Sequence, residues 1–322
     1  MKRLIILLTI GLTLASCATQ PVTSEEKALY FAAENRYTII PESPAPGEPV
    51  TIAVNTKVKE ALLFVNGKQA AKSSFFFVPD DKGIPCYFAA VLAIPSTITA
   101  RNAVIRIDTD DGVLYEVPVN LTPREFRSET LQLTPSLTNL VTTSNEQTKA
   151  ESARLWQILT TTGDKIYHID NFVLPITSTR RTSQFGTRRI NQYSDGRSTT
   201  SIHAGVDFGA PTGTDIFACG RGYVVLARMR VITGNSVIIE HAPGVYSIYY
   251  HLDTIIAQEG DIAEAGEIIG KVGSTGFSTG PHLHWELRVS TENTDPDIFV
   301  ARPILDKELI ISKLFVIRRI AN

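Results

Sequence analysis

Hydrophobic positions change their spacing several times along the 322 residues, and each change marks a different kind of structure. From residue 39 to 126, short apolar runs alternate with turn residues: V-T-I-A-V, then A-L-L-F-V before N-G-K, then A-V-I-R-I-D before T-D-D-G. Asn-Gly between β-prone runs is a strong hairpin signal, and strands at this spacing are typical of a small sandwich of two sheets. We therefore predict a β-sandwich over residues 39–126.

A helical spacing replaces the strand pattern within residues 127–171. Residues 144–147 (S-N-E-Q) have the form of a helix capping box. Apolar residues then recur at helical intervals, at Ala150, Ala153, Trp156 and Leu159. The pattern predicts a connector with a helix over about 145–160, docked on one of the two neighbouring domains.

From residue 172 to 300 the strand pattern returns. V-V-L-A-R-M-R-V, T-G-N and S-V-I-I-E-H predict an antiparallel pair, and A-P-G then leads into V-Y-S-I-Y-Y-H. The fold class that we predict is therefore mainly β: a small N-terminal β-sandwich, a helical connector and an antiparallel-sheet domain. Residues 301–322 carry apolar and basic residues in mixed order, which leaves open whether this tail packs as a strand or a helix.

The first 16 residues have the pattern of a signal peptide. Lys2 and Arg3 precede about a dozen apolar residues, a length that suits a signal-peptide core and is too short for a membrane span. The run L-A-S-C, which ends at Cys17, resembles the lipobox of bacterial lipoproteins. That resemblance implies cleavage before Cys17 and acylation of its thiol. The acyl chains would anchor the protein in a bacterial membrane, on the side that faces the periplasm.

Ala18 follows the cysteine where an aspartate would indicate inner-membrane retention, so the outer membrane is favoured. An ordinary cleaved signal with an incidental cysteine is the alternative. Residues 17–38 show no strand pattern and are predicted to form a tether.

The net charge bears on the choice of partner, and the cysteines bear on disulfides and metal sites. The formal net charge of −2 becomes −4 once Lys2 and Arg3 are removed, and no basic run is present, so we expect no nucleic-acid partner. Cys86 and Cys219 lie in different predicted domains, and we predict that they do not form a disulfide. Neither has a Cys or His neighbour at the spacing of a zinc site.

The chemistry of the chain is concentrated in its histidines. Four of the six lie in three short runs, H-A-G-V-D (203–207), Y-H-L (250–252) and H-L-H (282–284). Alternate residues of a strand share a face, so His282, His284 and Glu286 should point the same way, as should His203 and Asp207. Two imidazoles and a carboxylate can hold a catalytic zinc, and two further histidines can move protons or stabilise an oxyanion. The alternative is a set of hydrogen-bonded core or turn histidines.

The stretch from about Phe172 to Phe299 resembles the M23 (lysostaphin-like, LytM-type) metallopeptidases. The matching text is S-Q-F-G-T-R-R, H-A-G-V-D-F-G-A-P-T-G-T, Y-Y-H-L and V-G-S-T-G-F-S-T-G-P-H-L-H-W-E-L, in the family's order. The resemblance implies one zinc ion per chain. The implied zinc ligands are His203, Asp207 and His284, and the implied catalytic residues, which act on the attacking water and the transition state, are His251 and His282. The predicted sandwich also resembles the immunoglobulin-like N-terminal domain that some M23 proteins carry.

This resemblance, with the predicted envelope address, implies a zinc metalloendopeptidase that cuts stems or cross-links of peptidoglycan. One alternative is a catalytically silent relative that binds cell wall or activates an amidase, and another is a zinc peptidase acting on envelope proteins. The sandwich would space the enzyme from the membrane or dock it on an envelope protein.

Several other residues carry weaker expectations. Glu286 is a candidate to fix the tautomer of a metal-bound histidine, against a merely solvated glutamate. Tyr249 and Tyr250 are candidates for the substrate groove or the core, and Arg188 and Asn191 for the groove. We expect a structural role for His241 and assign none to His168.

Overall fold

The computed structural model describes residues 29–33, 36–79, 86–109, 114–143 and 145–319. The described chain is mainly β, and its sheets are largely antiparallel, which confirms the predicted fold class. Cys17, the predicted lipidation site, and the predicted signal peptide before it lie outside the described residues. No helix of the described chain has the length and apolar character needed to cross a membrane.

Eight of the nine N-terminal strands form two four-stranded antiparallel sheets that pack face to face; the other, β1, pairs elsewhere. The nine are β1 (Leu29–Ala33), β2 (Tyr37–Ile40), β3 (Pro49–Val54), β4 (Val58–Val65), β5 (Lys68–Ser74), β6 (Phe76–Val78), β7 (Tyr87–Ala93), β8 (Asn102–Thr109) and β9 (Leu114–Asn120). The sheets have the orders β2-β3-β7-β6 and β5-β4-β8-β9. The predicted hairpin joins β4 to β5, and its turn residues Asn66 and Gly67 both have positive φ, as a two-residue turn of this kind requires.

The sheet that contains β3 and β7 is buried on both faces. Ile52 and Leu92 face the other sheet of the sandwich, while Ala53 and Val91 face a core that includes Phe299 near the C-terminus. This double burial explains why V-T-I-A-V and A-A-V-L-A read as nearly continuous apolar runs with no polar face. The sandwich therefore packs directly on the domain that follows it.

The connector contains three elements, β10 (Ser128–Gln132), α1 (Pro135–Thr142) and α2 (Glu146–Thr160). Helix α2 confirms the predicted helix, but its cap lies one residue later than S-N-E-Q suggests. Asn145 Oδ1 accepts from the backbone N–H of Thr148 (2.8 Å), and Thr148 Oγ1 accepts from that of Asn145 (3.3 Å). The N-cap is therefore Asn145, paired with Thr148.

The buried face of α2 also differs from the predicted stripe. Trp156 is 62% exposed, and Ala150 and Ala153 are exposed as well. The helix packs through Leu159, the last residue of that stripe, and through Ile158 against strands of the next domain, so it is docked as predicted. The other three residues of the stripe are exposed because residues at a strict spacing of three drift around a helix of 3.6 residues per turn.

The C-terminal domain is built on one large antiparallel sheet. Its elements are β11 (Arg181–Ser183), β12 (Arg188–Gln192), β13 (Ser198–Ile202), β14 (Val206–Gly209), β15 (Asp215–Phe217), β16 (Gly222–Arg230), β17 (Gly234–Ala242), β18 (Val245–Ile255), β19 (Ile262–Ala263), β20 (Ile268–Val272), β21 (His282–Val289), β22 (Glu292–Thr294), α3 (Pro296–Ala301), α4 (Lys307–Leu314) and β23 (Phe315–Arg319). The main order is β11-β14-β21-β18-β17-β16-β19, and a second sheet has the order β10-β12-β13. The predicted antiparallel pair is β16–β17, followed by β18.

The structure changes the description of both ends of the chain, the predicted tether (residues 17–38) and the C-terminal tail (residues 301–322). The tail contains both kinds of element, α4 and β23. Strand β1 pairs antiparallel with β23, with Leu29 opposite Arg319, and β2 pairs with β3. The expectation that residues 17–38 lack strands is thus wrong at β1 and β2, because the partner of β1 lies at the opposite end of the sequence.

Candidate metal and active site

The central strands of the large sheet bring the H-A-G-V-D and H-L-H runs together. Asp207 on β14 lies directly opposite His284 on β21, and Tyr250 on β18 flanks His284 on the other side. As predicted from strand alternation, His282, His284 and Glu286 point to one face. They line a cleft of about 680 Å³ that also receives the remaining residues of the set, His203, Asp207 and His251.

His203 reaches the cleft from a loop, which corrects the expectation that it shares a strand with Asp207. The strand β14 begins only at Val206, and His203 follows the end of β13. Between them, Gly205 passes so close to β21 that a Cβ there would lie 2.1 Å from the carbonyl oxygen of Trp285. The glycine of H-A-G-V-D is therefore required by the close approach of two backbones beside the site.

His251 enters the cleft through a departure from regular strand geometry. Its neighbours alternate normally: Tyr249 is buried in the core below the sheet, and Tyr250 lies on the cleft side. Continued alternation would turn His251 towards the core. Instead it has φ +64° and its N–H donates to the carbonyl of Thr233, outside the strand ladder. This left-handed conformation turns the ring into the cleft, a backbone strain of the kind often found at functional sites.

Three potential ligand atoms converge in the floor of the cleft. His203 Nε2 lies 3.0 Å from Asp207 Oδ1 and 3.0 Å from His284 Nδ1, and the last two atoms are 2.7 Å apart. All three residues are buried. Together they form a His-Asp-His group able to hold a metal ion.

Hydrogen bonds on the outer side of each imidazole select the tautomer. His203 Nδ1 faces the carbonyl oxygen of Gln184 at 2.8 Å, and His284 Nε2 faces Glu286 Oε1 at 2.9 Å. Both partners are acceptors, so each of these ring nitrogens carries the hydrogen when the imidazole is neutral. The lone pairs of His203 Nε2 and His284 Nδ1 then point at each other and at Asp207.

Three electron-pair donors this close repel one another unless a positive charge lies between them. A proton on the rings can supply that charge: burial alone would raise the pKa of Asp207, but hydrogen bonds donated by protonated His203 and His284 hold that pKa well below its ordinary value. Burial opposes protonation of His284 as well, yet the hydrogen bond and charge of Asp207, with those of Glu286, raise its pKa to about 9. The group therefore attracts a cation strongly, and its two imidazoles and one carboxylate are the donor set of a catalytic zinc site.

Glu286 makes the contact that the sequence suggested. Burial opposes its ionisation, but the charge of Arg288 and the hydrogen bond with His284 lower its pKa to about 2. Its second oxygen, Oε2, accepts from Arg288 Nε at 2.9 Å. The ionised carboxylate is thus fixed on both sides and orients the His284 ring.

Replacing Glu286 by glutamine is expected to weaken metal binding by roughly 10- to 100-fold, because outer partners of metal-bound histidines typically contribute that much. The amide keeps the size of the side chain but cannot stabilise positive charge on His284. Competition between the protein and a chromophoric chelator for Zn²⁺ measures the affinity. Unchanged affinity in Glu286→Gln would show that the contact with His284 does not tune the site.

The two other histidines of the cleft also have defined tautomers. Nδ1 of His251 donates to the carbonyl of Thr275 (2.8 Å), and Nδ1 of His282 donates to that of Gly280 (2.8 Å). Their ring centroids are 4.8 Å apart, and His282 Nε2 lies 3.8 Å from Asp207 Oδ1. Burial, with the nearby His282 and His284, lowers the pKa of His251 to about 3. His251 is therefore neutral at physiological pH and has Nε2 free to accept a proton.

Arg188 and Asn191, the candidate groove residues, do not line the cleft. The Arg188 guanidinium donates to the carbonyl oxygens of Gly186 and Ser96 and lies 4.4 Å from the ring centroid of Phe126. Asn191 donates to Ser201 on the neighbouring strand. Alternation along β12 turns Arg189, the residue after Arg188, into the cleft; Asn191 shares the parity of Arg189 but does not line the cleft.

Arg189 and Glu129 are among the cleft residues that the sequence did not single out. Arg189 Nη2 donates to Asp207 Oδ2 at 2.9 Å. Arg189 could have been found from the sequence, because it is the second arginine of the S-Q-F-G-T-R-R motif. No motif pointed to Glu129, because it belongs to the connector.

The two tyrosines before His251 have different roles. Tyr249 is fully buried, and its hydroxyl accepts from the backbone N–H of Cys219 at 2.9 Å, so it belongs to the core. Tyr250 stacks on His284 with a centroid distance of 5.6 Å and an interplanar angle of 6°. Tyr250 thus limits the movement of the imidazole from the side opposite Asp207.

His241 and Cys219 lie together in the core, away from the cleft. His241 is fully buried; its Nδ1 donates to the carbonyl of Arg221 (2.9 Å), and Nε2 accepts from Ser247 Oγ (2.7 Å). These bonds agree with the structural role expected for it.

Cys219 is a free, buried thiol, which confirms that it forms no bridge with Cys86. His168 contacts Phe172 and the carbonyl of Asn171, outside the cleft.

Because burial lowers the pKa of His241 to about 3, the folded protein should keep this ring neutral well below pH 6. The unfolded chain binds that proton near pH 6.5, so the stabilisation is complete above pH 6.5 and is lost as the pH falls towards 3. The loss is roughly 1.4 kcal/mol per pH unit over that window. NMR of labelled imidazoles should show no titration of His241 between pH 8 and pH 5, and a midpoint near 6.5 would contradict this account.

Comparisons with known proteins find that the part of the chain containing the cleft histidines is similar to one family. Residues 201–296 match the sequence model of Peptidase family M23. The matched range contains His203, Asp207, His251, His282 and His284. The sandwich and the connector lie outside it.

Two similar curated proteins have names that state an activity. A DD-carboxypeptidase/endopeptidase, Mpg of Neisseria meningitidis, is 40% identical over 129 residues, which are 40% of this chain and 29% of that protein. The peptidoglycan DD-endopeptidase ShyA of Vibrio cholerae is 38% identical over 110 residues, or 34% of this chain and 25% of that protein. The matched stretch thus spans less than a third of either relative.

One solved structure resembles most of the chain. It is a Pseudomonas aeruginosa protein assigned to peptidase M23, with a TM-score of 0.57, 22% identity and coverage of 80% of this chain and 94% of that one. At this identity the likeness concerns the fold, and it extends beyond the family-matched residues.

Proposed function

We propose that this chain, whose residues 201–296 form an M23 peptidase domain, is a zinc metalloendopeptidase that hydrolyses peptide bonds in peptidoglycan stems or cross-links. The convergence of His203, Asp207 and His284, whose three potential ligand atoms lie between 2.7 and 3.0 Å from one another, carries the proposal. The names of the relatives, which include peptidoglycan DD-endopeptidases, support the choice of substrate.

His203, Asp207 and His284 would hold the zinc ion, which supplies Lewis acidity and activates water for hydrolysis. His251 accepts the proton of the attacking water at Nε2, because its Nδ1–H is committed to the carbonyl of Thr275 and leaves Nε2 as the acceptor. His282, across the cleft from His251, stabilises the negative charge that develops on the scissile carbonyl oxygen when its Nε2 also carries a proton, since its Nδ1–H is committed to the carbonyl of Gly280. Glu286 and Tyr250 keep His284 in place while this happens.

Digestion of purified sacculi tests the proposal directly. The protein should release muropeptides with newly cut peptide bonds, identified by mass spectrometry. A chelator should stop the release, and added Zn²⁺ should restore it. Sacculi that stay intact with zinc-loaded, folded protein would contradict the proposal and favour the silent, cell-wall-binding relative. Release of fragments only from envelope proteins would instead identify the chain as a zinc peptidase that acts on proteins of the envelope.

We also propose that the mature chain is a lipoprotein anchored through Cys17, facing the periplasm and preferring the outer membrane. The basic start, the apolar run and L-A-S-C support this. Cells fed a clickable palmitate analogue should label the wild-type protein and leave Cys17→Ser unlabelled. Equal labelling of both proteins, or of neither, would argue against an anchor at Cys17.

A further inference from the structure

The wall of the active-site cleft is partly built by the connector. Strand β10 pairs in parallel with β12, and this register puts Glu129 directly opposite Arg189. Glu129 and Leu131 of β10 both line the cleft. Since the family match begins at residue 201, these residues lie outside it.

A continuous chain of charged contacts runs from the connector to the metal-binding group. Glu129 Oε1 accepts from Arg189 Nε at 2.5 Å and from Ser183 Oγ at 3.1 Å. Arg189 Nη2 donates to Asp207 Oδ2 at 2.9 Å. The exposed fraction of the side chains falls along this path, from 29% for Glu129 to 17% for Arg189 and 9% for Asp207.

The contacts divide the two oxygens of Asp207 between two tasks. Oδ2 is held by Arg189, so Oδ1 is turned towards His203 and His284. A guanidinium in this position fixes the carboxylate but also places a positive charge beside a cation site. Glu129 offsets that charge on the far side of Arg189 and fixes the guanidinium plane.

We propose that Glu129 is a positioning residue for the metal site, acting through Arg189 on Asp207. The connector is thereby part of the metal-binding unit, although it lies outside the matched family domain. The inference rests on the proposed zinc site and adds to it a residue that touches neither metal nor substrate.

Zn²⁺ affinity, measured by competition with a chromophoric chelator on the full chain, tests this inference. Glu129→Gln keeps the side-chain size and one acceptor but removes the charge, and it should weaken zinc binding roughly 10- to 100-fold. Glu129→Asp should restore part of that loss because the charge returns. Glu125→Gln is the matched control, since Glu125 is exposed and makes no hydrogen bond or ion pair within the described residues, and it should bind zinc like the wild type.

A double-mutant cycle tests the route. If Glu129 acts through Arg189, Glu129→Gln should have little further effect on zinc affinity in an Arg189→Gln background. A role in substrate binding would raise KM and leave zinc affinity unchanged, and a role only in strand packing would lower the melting temperature and leave it unchanged. Either result would overturn the inference while the zinc site stands. A wild-type protein that binds no zinc would overturn both.

Discussion

Replacing His284 by alanine is expected to abolish peptidoglycan hydrolysis and to reduce bound zinc from one ion per chain to nearly none. His284 supplies one of three ligand atoms and is the residue on which Glu286 and Tyr250 both act. Its removal should weaken zinc binding by more than the roughly 10- to 100-fold expected for an outer partner. Elemental analysis of the purified variant gives the zinc content, and muropeptide release gives the activity.

The matched control is His168→Ala, which removes an imidazole outside the cleft and should retain both zinc and activity. Circular dichroism of His284→Ala should show the wild-type strand content, because Asp207 and the Glu286–Arg288 ion pair remain in place. A folded His284→Ala protein that still carries one zinc per chain would exclude His284 as a ligand.

His251→Ala should separate catalysis from metal binding. The ring does not contact the three ligand atoms directly; its centroid lies 6.1 Å from that of His284. Zinc content should therefore stay near one per chain, while turnover falls by roughly 10²- to 10⁴-fold, the usual contribution of a general base. The comparison requires zinc analysis and initial rates on the same preparation.

Relief of backbone strain gives an independent check on this variant. Alanine is also disfavoured at φ +64°, so His251→Gly serves as a second variant in which that conformation is unstrained. Both should lose activity to the same extent. Loss of zinc in both would make His251 a metal ligand, and activity retained in His251→Gly would remove it from the chemistry.

Much of the sheet architecture follows from local patterns. Alternation along β21 put His282, His284 and Glu286 on one face, and Asn66-Gly67 located a hairpin, because both signals depend on backbone geometry within a few residues. The pairing of β1 with β23 and the buried outer face of β3 were not predictable, since each depends on a partner more than two hundred residues away.

The site shows the same division between local and distant information. The ligand set is implied by the resemblance to M23 peptidases, and the structure brings those residues together in one cleft. Sequence reasoning chose Arg188 where the cleft contains Arg189, because the facing of an isolated short strand cannot be fixed without its neighbours. Glu129 reaches the site only through the parallel pairing of β10 with β12, which links residues about sixty positions apart.

The most direct test of the central claim is an anomalous difference map at the zinc absorption edge from crystals of the zinc-loaded protein. The account predicts one peak within about 2.0–2.2 Å of three atoms, His203 Nε2, Asp207 Oδ1 and His284 Nδ1. A peak held by other residues, or no peak in protein that hydrolyses sacculi, would contradict it.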